Sequence, residues 1–178
     1  MKLSSKHLST LSKSSSIKEE LLIIDTEETS EEYGTHPDKR TLDDILDYGF
    51  IPLDKPAGPT SHEVVAWVRN MLKKEKAGHS GTLDPAVTGL LPIGLGEATK
   101  ALSVLLIGPK EYVGLARIHS NVDEEKLNQV FKEFTGEILQ RPPQKSSVKR
   151  QTRRRWIYDL DILENKGQLI LFRVLCQA

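Results

Sequence analysis

Eight consecutive residues, Gly78-His79-Ser80-Gly81-Thr82-Leu83-Asp84-Pro85, constrain the backbone of this chain more than any other stretch. Gly78 and Gly81 can take angles closed to residues with a Cβ, and Pro85 pushes Asp84 toward an extended conformation. The segment therefore reads as a hinged turn in which backbone chemistry sets the direction of one carboxylate. A fixed aim of that kind suits a nucleophile. The competing reading is a loop aspartate that hydrogen-bonds its own backbone.

The chain has 178 residues, 38% of them hydrophobic, which is enough for one sizeable core or two small ones. Lysine plus arginine and aspartate plus glutamate both total 25, but the charge is sorted along the sequence. Residues 19–47 are strongly acidic, with only Lys39 and Arg40 opposing Glu19, Glu20, Asp25, Glu27, Glu28 and the acids that follow. Residues 149–155 are the reverse: Lys149, Arg150, Arg153, Arg154 and Arg155 stand together with no acidic neighbour. Dense charge of one sign suits a phosphate backbone, whereas a strand edge protected by charge is the alternative. The single cysteine, Cys176, excludes an internal disulfide and reads as a buried strand residue. No apolar stretch approaches a membrane span and the N-terminus lacks the hydrophobic core of a secretory signal, so a cytoplasmic protein is expected.

Three segments follow from composition. Residues 1–18, with seven serines from Ser4 to Ser16, read as a flexible tail. Residues 19–48 form an acidic extension, in which residues 21–24 suit an edge strand and residues 41–46 a short helix; a strand is expected over 49–53. Residues 49–178 carry the motifs. Within them, Thr60-Ser61-His62-Glu63 reads as a capping box opening a helix whose apolar face is Val64, Val65, Trp67, Val68, Met71 and Leu72. Lys73, Lys74 and Lys76 at its end place positive charge before the Asp84 turn, as an ordinary solvated helix end also would. A second helix is expected over 97–107 and a strand over 111–119, with Val113 and Leu115 on one face and Tyr112, Ala116 and Ile118 on the other. Asn121 or Asp123 caps a third helix, and residues 155–163 and 168–176 form a hairpin joined by residues 164–167. The class is α+β.

The Asp84 motif has company. Leu53-Asp54-Lys55-Pro56-Ala57-Gly58-Pro59-Thr60-Ser61-His62 precedes it, and Lys110-Glu111-Tyr112-Val113, Arg141-Pro142-Pro143 and Ser146-Ser147-Val148-Lys149-Arg150 follow it. In order and spacing these motifs resemble the TruB-type pseudouridine synthases, most closely the archaeal branch shared with dyskerin, over about residues 20 to 178. The resemblance implies a pseudouridine synthase catalytic fold, a mixed and largely antiparallel sheet with flanking helices and an inserted subdomain, incomplete at the C-terminus. It implies isomerisation of uridine to pseudouridine in transfer RNA or at guide-selected ribosomal RNA sites, with no metal or other cofactor. H/ACA guide RNA and the small proteins of that particle are the implied partners.

The same resemblance assigns roles. Asp84 is the implied catalytic carboxylate, as a nucleophile on the sugar or as a base toward a sugar proton, and Tyr112 the active-site tyrosine. His79 helps to displace the flipped base; the alternative is a histidine hydrogen-bonded within its own turn. Lys55 contributes to the pocket floor and its electrostatics, a surface lysine being the plain alternative. The run from Lys149 to Arg155 contacts phosphates without reading sequence. Relatives continue past the position of Ala178 with an arginine that pairs with the catalytic aspartate, further catalytic strands and an RNA-binding PUA domain. A non-catalytic RNA-binding or assembly fragment is accordingly the second expectation.

Overall fold

Seven strands and four α-helices form among the described residues, which are residue 30, residues 32–142 and residues 150–178 of this computed structural model. The chain divides into two compact units between Arg40 and Thr41. The described part of the first contains one short 3-10 turn, Pro37–Lys39. The strand expected over residues 21–24 lies outside the described residues.

The second unit opens with α1 (Leu42–Tyr48), capped reciprocally by Thr41 and Asp44. Strand β1 (Phe50–Lys55) follows, then α2 (Ser61–Met71). The capping box forms as its sequence dictates: the Thr60 hydroxyl accepts from the Glu63 amide, and the Glu63 carboxylate accepts from the Thr60 amide at 2.7 Å. Strands β2 (Ala77–His79) and β3 (Gly89–Leu95) complete a three-stranded antiparallel sheet in the order β1-β3-β2. Its register sets Leu53 opposite Leu91, Ile51 opposite Ile93 and Ala77 opposite Leu95. That row meets Val64, Val65 and Val68 of α2 to make the core. Ile93 is fully buried, and enclosing each such aliphatic side chain contributes about 1.5–3 kcal/mol.

Beyond β3 the chain turns at Gly96, whose φ is +52°. A Cβ there would stand 2.5 Å from the Asp47 carbonyl oxygen, so only glycine fits. The single helix expected over 97–107 is instead a 3-10 segment, Gly96–Ala101, followed by α3 (Leu102–Ile107). The tight start at Gly96 and the Thr99 hydroxyl, which donates to the Gly96 carbonyl at 2.8 Å, favour the narrower winding.

The second sheet is built from β4 (Lys110–Arg117), β5 (Gly136–Gln140), β6 (Arg153–Lys166) and β7 (Leu169–Cys176), in the order β4-β7-β6-β5 with every pair antiparallel. Helix α4 (Glu124–Glu133), capped by Asp123, buries Leu127 and sets Phe131 edge-on to Phe172 of β7. The hairpin is longer than its sequence reading. Strand pairing runs to Lys166 opposite Leu169, and the turn shrinks to Gly167 and Gln168, with Gly167 at φ +68°. The α+β class stands as expected, with antiparallel sheets and flanking helices.

Candidate active site

The Asp84 turn is fixed on both flanks by the segment that leads into α2. On one side, the Ser61 hydroxyl accepts from the Leu83 amide at 3.0 Å and donates to the Leu83 carbonyl at 3.1 Å. On the other, the Pro85 carbonyl accepts from the Gly58 amide at 2.7 Å and from Lys55 Nζ at 3.4 Å. Gly58, at φ +118°, has the backbone freedom this approach requires. A turn closes the far side, where the Asp84 carbonyl accepts from the Val87 amide at 3.2 Å. Asp84 itself is exposed, and among the described residues its carboxylate forms no ion pair. The result is an anchored backbone that presents a carboxylate to solvent, as a group acting on a large external substrate requires.

Lys55 is fully enclosed, with 0% exposure. Its ammonium donates to the carbonyls of Pro56 at 2.8 Å and Pro59 at 2.9 Å as well as to Pro85. Lys55 is therefore the cation under the turn, and its bonds go to backbone oxygens. Prolines supply carbonyls without competing amides, which is why this Pro-rich loop can surround an ammonium.

His79 closes its own turn, with Nδ1 2.6 Å from the Gly81 carbonyl oxygen. A carbonyl only accepts, so Nδ1 carries the proton and Nε2 is left for another partner. The exposed ring of His62, at the start of α2, packs edge-on against His79 with centroids 4.8 Å apart. Helix α3 links this turn to Tyr112. A Cβ at Gly81 would lie 3.8 Å from the Leu106 side chain, and the carbonyls of Leu105, Leu106 and Gly108 accept from Lys110 Nζ at the start of β4. Tyr112 lies two residues on, paired with Val174, on the same strand face as Lys110 and Cys176. Tyr112 is half exposed; desolvation of its covered part, and then negative charge on Cys176 once that thiol ionises, hold its phenol above the usual range. The end of α3 is thus common ground for the Asp84 turn and the Tyr112 strand.

The basic run is only partly visible. Lys149 and the six residues before it lie outside the described residues. Arg150 and Arg154 are exposed, and Arg153 and Arg155 are half-buried along β6. Arg154 pairs with Glu137 of β5 at 2.9 Å, so one of these cations already has an anionic neighbour. The lysines after α2 are also engaged: Lys74 pairs with Asp47 at 2.6 Å and Lys76 with Glu97 at 3.6 Å.

Comparison with known families follows this layout. Residues 69–178 match the N-terminal domain of the TruB family pseudouridylate synthases, and residues 13–65 match the DKCLD domain. The chain belongs to the TruB family. Curated TruB relatives include a probable tRNA pseudouridine synthase B of Methanocaldococcus jannaschii, 51% identical over 161 residues. That match takes in 90% of this chain and 48% of the relative. The corresponding protein of Pyrococcus furiosus is 52% identical over 163 residues, 91% of this chain and 48% of the relative. Among solved structures, a Cbf5-Nop10-Gar1 complex superposes with a TM-score of 0.80 at 52% identity, over 85% of this chain and 46% of that one. An H/ACA ribonucleoprotein bound to a substrate RNA containing 2'-deoxyuridine gives 0.76 at 48% identity, over 85% and 44%. The chain spans about half the length of the curated TruB relatives it matches.

Three residues of this candidate site escaped the sequence reading. Ser61 was hidden behind its neighbour, because Thr60 and Glu63 account for the capping box and leave the Ser61 hydroxyl without a local duty. His62 sits on the exposed side of the same helix start, and only the fold brings it to His79. Lys110 reads as the polar first residue of a strand, but it also caps the last turn of α3. A hydroxyl beside a complete capping box was the one available signal.

Proposed function

We propose that this chain forms the catalytic-aspartate part of an RNA pseudouridine synthase. The reaction breaks the glycosidic bond from C1′ of the ribose to N1 of uracil, turns the freed base, and rejoins it through C5. The proton on C5 leaves and N1 gains one, so the change is an isomerisation and needs no redox partner. Asp84 supplies an ionised carboxylate to the sugar; attack on C1′ and removal of a sugar proton both start from that charge state. The observation that carries this reading is the doubly anchored turn that exposes Asp84 in a TruB chain.

A stacked uridine cannot reach that carboxylate, so the base is flipped, with His79 filling the space it leaves and Tyr112 stacking on it. Lys55 sets the shape and potential of the pocket floor from beneath the turn. Lys149, Arg150, Arg153, Arg154 and Arg155 hold phosphates, giving affinity independent of base sequence. The substrates are the T-loop of transfer RNA and guide-selected ribosomal RNA sites, in the cytoplasm. The neighbouring complexes support H/ACA guide RNA and the small proteins of that particle as partners.

A second reading has its own support. Among the described residues Asp84 has no cationic partner, which favours an RNA-binding or assembly piece without turnover. The two readings separate on Asp84→Asn. The catalytic reading expects turnover to vanish while RNA affinity stays within about twofold, since affinity comes from the basic surface. A variant that keeps the parent's turnover removes Asp84 from the mechanism.

A further inference from the structure

Ser61 is fully buried at the first position of α2, with 0% exposure. A hydroxyl at a helix start ordinarily caps the exposed amides. Here Thr60 caps the helix and Glu63 caps Thr60 in return, so α2 does not need the Ser61 hydroxyl. That hydroxyl turns away from its own helix and takes both the amide and the carbonyl of Leu83, 22 residues away. Leu83 directly precedes Asp84, and its side chain packs against the core. One side chain thereby fixes both peptide groups of Leu83, and with them the point from which the Asp84 carboxylate projects.

We propose that Ser61 is a positioning residue for Asp84, setting the reach of the carboxylate toward the ribose without touching substrate. The proposal rests on the pseudouridine synthase reading above. The physical expectation is asymmetric. Phosphate contacts made by the basic surface do not depend on the turn, so RNA binding is unaffected. Attack geometry does depend on it, and a displacement of about 1 Å costs about 100-fold in rate.

The test compares the 178-residue chain with Ser61→Ala, Glu63→Ala and Asp84→Asn, using RNA tritiated at uridine C5 for turnover and amide hydrogen exchange for the turn. In Ser61→Ala the Leu83 amide loses its acceptor and exchanges at least about 10-fold faster, while kcat falls about 10- to 100-fold and KM stays within about twofold. Glu63→Ala weakens the start of the same helix without touching the clamp. It lowers Tm but leaves kcat within about twofold and the Leu83 amide protected. An active parent with an inert Asp84→Asn and an unimpaired Ser61→Ala overturns the positioning role and leaves the reading of Asp84 intact. Equal loss of kcat in Ser61→Ala and Glu63→Ala also overturns it, since general damage to α2 would then be the cause. A parent without release, or an Asp84→Asn variant with full release, overturns the reading and the positioning role together.

Discussion

Replacing Lys55 by Met isolates the buried ammonium, because methionine approximates the apolar stem and deletes the charge. In the folded chain the ammonium has short bonds to the Pro56 and Pro59 carbonyls at 2.8 and 2.9 Å and a longer one to Pro85 at 3.4 Å. Hydrogen bonds to charged groups contribute about 1.5–3 kcal/mol each, so the two short ones supply about 3–6 kcal/mol. The Pro85 carbonyl keeps its Gly58 partner and adds little to the loss. Desolvation of the ammonium works the other way and cancels part of the gain. The balance is a destabilisation of about 3 kcal/mol, which for a domain of this size lowers Tm by about 6–12 °C. Lys55→Arg does not restore it, since a planar guanidinium does not fit a fully enclosed site shaped for an ammonium. Thermal unfolding followed by circular dichroism at pH 7 measures both. A Lys55→Met variant melting within about 2 °C of the parent refutes the reasoning, because the buried charge would then contribute nothing beyond its own desolvation.

Two further expectations concern the frame around the turn. Gly96→Ala forces a residue at φ +52° and drives a Cβ to 2.5 Å from the Asp47 carbonyl oxygen, so it costs at least about 2 kcal/mol. Gly136→Ala is the control, since that glycine at φ +103° has nothing within 4 Å of its added Cβ; equal losses by chemical denaturation would refute the clash. The Thr60 backbone amide, and then its hydroxyl, hold the Glu63 carboxyl below its ordinary 4.5. A depressed folded value gives stability that is present above the unfolded value and is lost as pH falls through the folded one. The Tm difference between the parent and Glu63→Gln is therefore full at neutral pH and shrinks below pH 4.5, and a difference that grows on acidification contradicts the assignment.

What the sequence disclosed was local chemistry. Thr60 and Glu63 announced the start of α2 because a capping box is complete within four residues. Strand alternation separated Tyr112 from Val113 for the same reason, the period being short and independent of partners. Errors arose where a distant group decides the outcome. The need for glycine at position 96, where the chain turns into the 3-10 segment, comes from the Asp47 backbone, which nothing near Gly96 reveals. The tighter hairpin depends on strand pairing that continues to Lys166 and Leu169 through a stretch whose polar residues read as loop. Burial of Lys55 was equally hidden, since a lysine before a proline looks the same on a surface as it does inside a ring of carbonyls. His79 carried two readings, and its Nδ1 contact with Gly81 fits the local one while leaving Nε2 available to a substrate.

The central claim is that an exposed, doubly anchored Asp84 begins the isomerisation of uridine. Tritium release from transfer RNA labelled at uridine C5, by the 178-residue chain beside Asp84→Asn, tests it most directly. The account predicts release and pseudouridine formation with the parent chain and neither with Asp84→Asn. Equal release from both, or RNA binding without release from the parent, contradicts it.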